Sequence, residues 1–114
     1  DMSLWDVFKE SKHPEFVGRR LIDIFAELPR GKSKLAVAGR LYNGADALRA
    51  VEAGADVVAI GRAAISNHDF PNQVRANPDF TMRETPIPVD VLRAEGLGEA
   101  FIDYMRTWRT FVGE

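Results

Sequence analysis

The chain has 114 residues, 46% of them hydrophobic, the size of one small domain able to bury a core. Fifteen Lys and Arg against seventeen Asp and Glu give a net charge of −2 with scattered basic residues, which argues against a nucleic-acid partner, since that would need a basic stripe or patch. The absence of cysteine excludes disulfides, thiolate catalysis and Cys-ligated metals, and no apolar run approaches the roughly 20 residues of a membrane helix, so a soluble, cytoplasmic protein with no membrane partner is expected.

The opening residues "DMSLWDVF" read as the inside of a domain, so the chain is expected to be a piece of a larger polypeptide. "DMS" predicts the tail of a strand. Beyond His13 and Pro14, the residues Val17, Leu21, Ile24, Phe25 and Leu28 recur at helical spacing and predict about three turns ending near Pro29. "RGKSK" is a polar turn. "LAVAG" is short, apolar and unalternating, as in a strand covered on both faces. Asn43 can cap the next helix, with Ala47, Leu48 and Val51 as its buried stripe and Gly54 as its end. "ADVVAIG" is a second continuous apolar strand. "AAIS" then begins a short helix directly after Gly61, and a further helix starts near Asp69 and Pro71. "TMRETPIP" reads as an irregular connector. A last helical region places Leu97, Phe101, Met105, Trp108 and Val112 on one face, read as packing.

Apolar strands joined through helices are parallel, because a crossover helix returns the chain to the same edge. The breaks "VAGR" at 37–40 and "AIGR" at 59–62 therefore fall at the same end of successive strands, the edge where α/β folds bind ligands. Glycine lets a phosphate approach backbone N–H groups, and a helix starting there adds its positive end. Arginine supplies a fork of donors that matches phosphate oxygens. Gly39, Arg40, Gly61 and Arg62 are thus expected to bracket one phosphate.

The stretch "LAVAGRLYNGADALRAVEAGADVVAIGRAAISNHDF" resembles the last two βα units of the old yellow enzyme family of FMN-dependent NAD(P)H oxidoreductases, which are (βα)8 TIM barrels. "DMSLWD" is similar to the end of that family's sixth strand, and "PIPVDVLRAEGLG" to its C-terminal extension. The resemblance covers almost the whole chain and only the C-terminal third or so of a family member. It implies an α/β fold made of the last βα units of the barrel over residues 1–80, with a C-terminal helical extension over residues 81–114. It also implies that the backbone at Gly39 and Gly61 and the Arg62 side chain hold the FMN phosphate. Arg40 would make a second contact, and Ala38, where many members have glycine, would still admit the phosphate. His68 stands where "SNPD" would have proline and alters only the local turn.

In that family, hydride passes from NAD(P)H through FMN to an activated alkene whose carbonyl is held by paired polar side chains on earlier strands. None of those side chains can be placed in this sequence, so no catalytic residue is assigned and the remainder of the barrel is required. His13 and His68 read as surface or turn residues without a metal. Ser66, His68 and Asp69 are too close in sequence to form a nucleophilic relay. The expected partners are FMN, a small unsaturated carbonyl-type substrate and a second copy in a homo-oligomer. Two alternatives stay open: the phosphate-binding part of another barrel enzyme, and a non-catalytic assembly module exposing open sheet edges.

Overall fold

In the computed structural model, which describes residues 1–114, three short strands carry the N-terminal half. These are β1 (Met2–Ser3), β2 (Ala36–Ala38) and β3 (Val57–Ala59), all parallel, in the order β1-β2-β3. α1 (Leu21–Ala26) lies in the first crossover and α2 (Gly44–Glu52) in the second. Met2 and Val58 both pair with Val37, while Ser3 and Ala59 pair with Ala38. Val37 is wholly buried in a cluster with Val7, Ile22, Leu35, Leu41, Ala50 and Ala55, against which Val58 packs.

The opposite face of the sheet departs from expectation. Val57 is 51% exposed and Ala59 is exposed too, so β3 is covered on one face only. The continuous apolar run alone does not distinguish a strand buried on both faces from one buried on a single face. Within this chain the helices cover one face, and β1 and β3 remain edges.

Two helices differ from their predicted form. The segment after Pro14 is not helical as far as Arg20. Gly18 takes φ 81°, Ser11 N–H donates to the Arg19 carbonyl and Leu21 N–H donates to the Lys9 carbonyl, so the chain doubles back before α1 begins. Val17, Phe25 and Leu28 are consequently exposed, and Ile22 is the residue that enters the core. In α2 the Asn43 cap forms as expected, its Oδ1 accepting the Asp46 N–H at 2.7 Å. The sheet-facing residue is nevertheless Ala50, with Leu48 and Val51 exposed. At the start of the helix Gly44 is required by close approach to a different neighbour: a Cβ there would lie 2.1 Å from the Pro78 carbonyl oxygen.

The rest of the chain adds α3 (Arg62–Ser66) and α4 (Phe70–Ala76), which starts at Asp69 and Pro71 as predicted. β4 (Ile87–Pro88), α5 (Val89–Ala94), α6 (Glu99–Arg106) and β5 (Val112–Gly113) follow, β4 and β5 pairing in parallel. Ile87, Leu92, Ile102, Met105 and Phe111 form a second core cluster. The single face predicted through Val112 does not form, because α6 stops at Arg106. Met105 is buried, but Phe101 is replaced by its neighbour Ile102, Trp108 lies in the turn beyond, and Val112 belongs to β5.

The chain is therefore α/β, with six helices and short parallel strands built around two small cores. Its radius of gyration is 16.0 Å, against about 13 Å for a compact domain of this length. No helix is long and apolar enough to cross a membrane.

Candidate anion site at the strand ends

Parallel strands deliver their C-terminal ends to one edge. There the residues following β1, β2 and β3 line a cavity of about 210 Å³, with Leu4 and Trp5 from the first exit, Gly39 to Tyr42 from the second, and Gly61 and Arg62 from the third. All five residues singled out by sequence, Ala38, Gly39, Arg40, Gly61 and Arg62, border it.

The two glycines occupy different environments. Gly39 has φ 141°, and a Cβ there would lie 1.9 Å from the Leu4 carbonyl oxygen. Its own carbonyl accepts the Val7 N–H at 3.2 Å. The first requirement for glycine at 39 is thus the passage of the β1 exit across it. Gly61 has no atom within 4 Å of its Cβ position, so its backbone is open. The N–H groups of Gly39, Arg40, Gly61 and Arg62 donate to no backbone carbonyl. Arg40 adopts φ 51°, a left-handed conformation that costs a non-glycine residue on the order of 1 kcal/mol.

The contribution expected from a helix positive end is small. α3 has five residues, little more than one turn, so few aligned peptide dipoles add up at Arg62. What remains is a set of free backbone donors and two guanidiniums. Arg19, Arg20, Arg30, Arg49, Arg83, Arg93 and Arg106 all pair with carboxylates; Arg75 and Arg109 do not, and neither do the two arginines at this edge, Arg40 and Arg62. They lie over indoles instead. The Arg40 Cζ is 5.6 Å from the Trp5 ring centroid, and the Arg62 Cζ is 5.5 Å from Trp5 and 4.7 Å from Trp108.

Sequence reasoning missed Trp5 and assigned Trp108 to packing. Trp5 had a usable signal, since it stands two residues beyond a strand end, as Arg40 does. Trp108 had none, because its approach depends on where α6 stops. A second cavity of about 490 Å³ shares Trp5, Tyr42 and Arg62 with the first and is closed by residues 81–85 and 108–111. The strand-end cavity alone is smaller than the ~300–1,000 Å³ that encloses a whole drug-sized ligand. It matches one end of a ligand, and its neighbour offers room for the rest.

His68 lies outside this edge, and the structure gives it partners that the sequence did not reveal. Its ligand atom lies within 4.8 Å of those of Asp69 and Glu95. Glu95 Oε2 accepts the His68 N–H at 2.8 Å and sits 2.6 Å from its Nδ1, while Oε1 pairs with Arg83. The Glu95 carboxylate is thus already occupied, and it latches the turn between α3 and α4 to the end of α5. The Ser66 hydroxyl donates within its own helix, to the Ala63 carbonyl, and forms no relay with His68. His13 stays on the surface, with Nδ1 accepting the Glu15 N–H.

Burial opposes the charged form of Glu95, yet the His68 backbone and ring N–H groups and Arg83 together hold its carboxyl down at about 2. The latch therefore contributes stability above the ordinary glutamate range and loses it as pH falls from about 4.5 toward 2. Glu95→Gln is expected to cost on the order of 2 kcal/mol at pH 7, once solvent screening at the exposed His68 is allowed for. Asp23 and Asp56 also titrate low and weaken both proteins in acid. Urea midpoints of parent and variant measured from pH 7 to pH 2.5 should therefore converge, and a constant gap would remove Glu95 titration as the cause.

Comparison of the chain with protein-family descriptions, curated proteins and solved structures gives no match.

Proposed function

We propose that this edge holds the phosphate of FMN, and that the chain is the C-terminal part of an FMN-dependent NAD(P)H oxidoreductase of the old yellow enzyme type. In this reading β1 to β3 are the last strands of a (βα)8 barrel and residues 81–114 are its helical extension. The observation that carries the proposal is the pairing of two arginines free of carboxylates with unused backbone N–H groups, at neighbouring parallel strand ends around one small cavity. A dianionic phosphate monoester is the ligand such a set of free donors and positive charges suits best. The open face of β3 and the two sheet edges agree with a barrel completed by further chain.

When bound, FMN supplies hydride transfer from NAD(P)H to an activated alkene of the unsaturated carbonyl class. Gly61 gives backbone access to the phosphate, and Arg62 gives charge and a bidentate fork. Arg40 adds a second charge from the adjacent strand, and Ala38 keeps the floor of the cavity low. Trp5 and Tyr42 border both cavities, where the phosphate end meets the larger space beside it. The groups that bind the alkene belong to the rest of the barrel.

The donor set selects phosphate more strongly than it selects what the phosphate is attached to, so a sugar phosphate or another nucleotide is the competing occupant. Equilibrium dialysis of the protein against FMN and riboflavin separates these readings, because the two flavins differ only in the phosphate. FMN is expected to be retained in yellow protein and riboflavin to be lost. Equal behaviour of the two removes the phosphate assignment, and retention of a sugar phosphate with loss of FMN moves the site to a different barrel enzyme.

A further inference from the structure

Trp5 and Trp108 are the only tryptophans in the chain, and both indoles meet Arg62. Trp5 also meets Arg40. Trp5 is 60% exposed and belongs to neither core cluster, so its contacts in this chain are with the two arginines rather than with a core.

How an arginine is held decides what it can bind. A carboxylate partner fixes a guanidinium but cancels its charge and occupies its fork, as Asp23 does for Arg20 through two hydrogen bonds of 2.6 and 2.8 Å. An aromatic face attracts the cation through its quadrupole and leaves the N–H donors at the edge of the plane free. One indole that touches two arginines from different strand exits also sets the distance between them. It gathers two like charges in one small cavity, which is unfavourable until an anion enters.

We infer that Trp5 is the positioning residue of the anion site, holding Arg40 and Arg62 on its indole so that both guanidiniums present charge and free donors to one phosphate. The inference rests on the phosphate reading above. Trp108 is the second wall for Arg62 alone. Trp5 acts through the two arginines, so it governs affinity for a dianion and has no part in the fold of the sheet.

Two measurements on the protein test this. Arginine Nε–Hε resonances report the geometry without ligand: those of Arg40 and Arg62 are expected to be ring-current shifted in the parent. Both should move in Trp5→Leu, and only that of Arg62 should move in Trp108→Leu. Titration with inorganic phosphate reports the consequence. Trp5→Leu is expected to bind about tenfold more weakly than the parent, and Trp5→Phe, which keeps a π face, within about threefold, at unchanged melting temperature. Equal phosphate affinity in parent and Trp5→Leu overturns the positioning role while leaving the phosphate site standing. Equal losses in Leu and Phe variants also overturn it, since they point to volume alone. No phosphate binding by the parent, with the resonance shifts intact, overturns the phosphate reading and with it the role inferred for Trp5.

Discussion

Arg62→Ala is expected to lower FMN affinity about 30-fold while leaving the melting temperature within a few degrees of the parent. Hydrogen bonds to charged groups contribute about 1.5–3 kcal/mol, and each 1.4 kcal/mol is a factor of ten in affinity. On the proposed phosphate reading, the bidentate fork of Arg62 supports a loss between tenfold and a hundredfold. The fold has little to lose, because Arg62 has no carboxylate partner whose charge would be stranded. What disappears is its contact with Trp5 and Trp108, worth about 1 kcal/mol at a partly exposed site. Arg62→Lys should fall between the two, keeping charge without the fork. Flavin content after dialysis and thermal unfolding followed by far-UV circular dichroism separate the two quantities. Equal flavin content in variant and parent would remove Arg62 from the site, and a large melting shift would make it a structural residue.

The asymmetry between Arg62 and Arg40 follows from the backbone. Arg62 opens α3 in an ordinary helical conformation, whereas Arg40 is held at φ 51° and contacts one indole where Arg62 contacts two. Arg40 therefore carries a local strain cost at the strand exit that Arg62 does not.

Much of this edge was legible because it depends on chain order alone. Two apolar runs separated by a capped helix fix a parallel pair, and a parallel pair fixes which residues emerge together, so the sequence alone groups Gly39, Arg40, Gly61 and Arg62. Facing was harder to read. Leu48 and Val51 look like a core stripe, yet Ala50 is the buried residue of α2, and hydropathy ranks leucine above alanine whatever the rotation of the helix. Phe25 and Leu28 fail for a different reason: helical spacing was counted through Gly18, where the chain reverses. The latch between His68 and Glu95 joins residues 27 positions apart, across the α3–α4 turn and the end of α5. No local pattern encodes a pairing of that range. The indoles fall between these cases, Trp5 readable from its offset beyond a strand and Trp108 set by tertiary structure.

The two glycines of the Gly-Arg breaks should respond to the same substitution in opposite ways. At Gly39 an alanine Cβ would sit 1.9 Å from the Leu4 carbonyl oxygen and 2.7 Å from its carbon, and φ 141° is a conformation that L-residues avoid. These are backbone atoms, so relief requires moving β1 away from β2. That movement breaks the 2.8 Å bond from Leu4 N–H to the Ala38 carbonyl and pulls on Val7, which is wholly buried in the first core cluster. Gly39→Ala is expected to lose at least about 3 kcal/mol, placing it in the tail of single-substitution effects, and to lower the melting temperature by on the order of 10–20 °C. At Gly61 nothing lies within 4 Å of the new methyl group, so Gly61→Ala should melt within a few degrees of the parent. The same methyl group enters the space through which a phosphate reaches the Gly61 and Arg62 N–H groups, so FMN affinity should fall about tenfold. Melting curves and flavin retention measured on both variants give a crossed pattern, one losing fold and the other losing ligand. Parent-like melting of Gly39→Ala would contradict the close passage of the β1 exit, and parent-like flavin retention in Gly61→Ala would reduce that glycine to a turn residue.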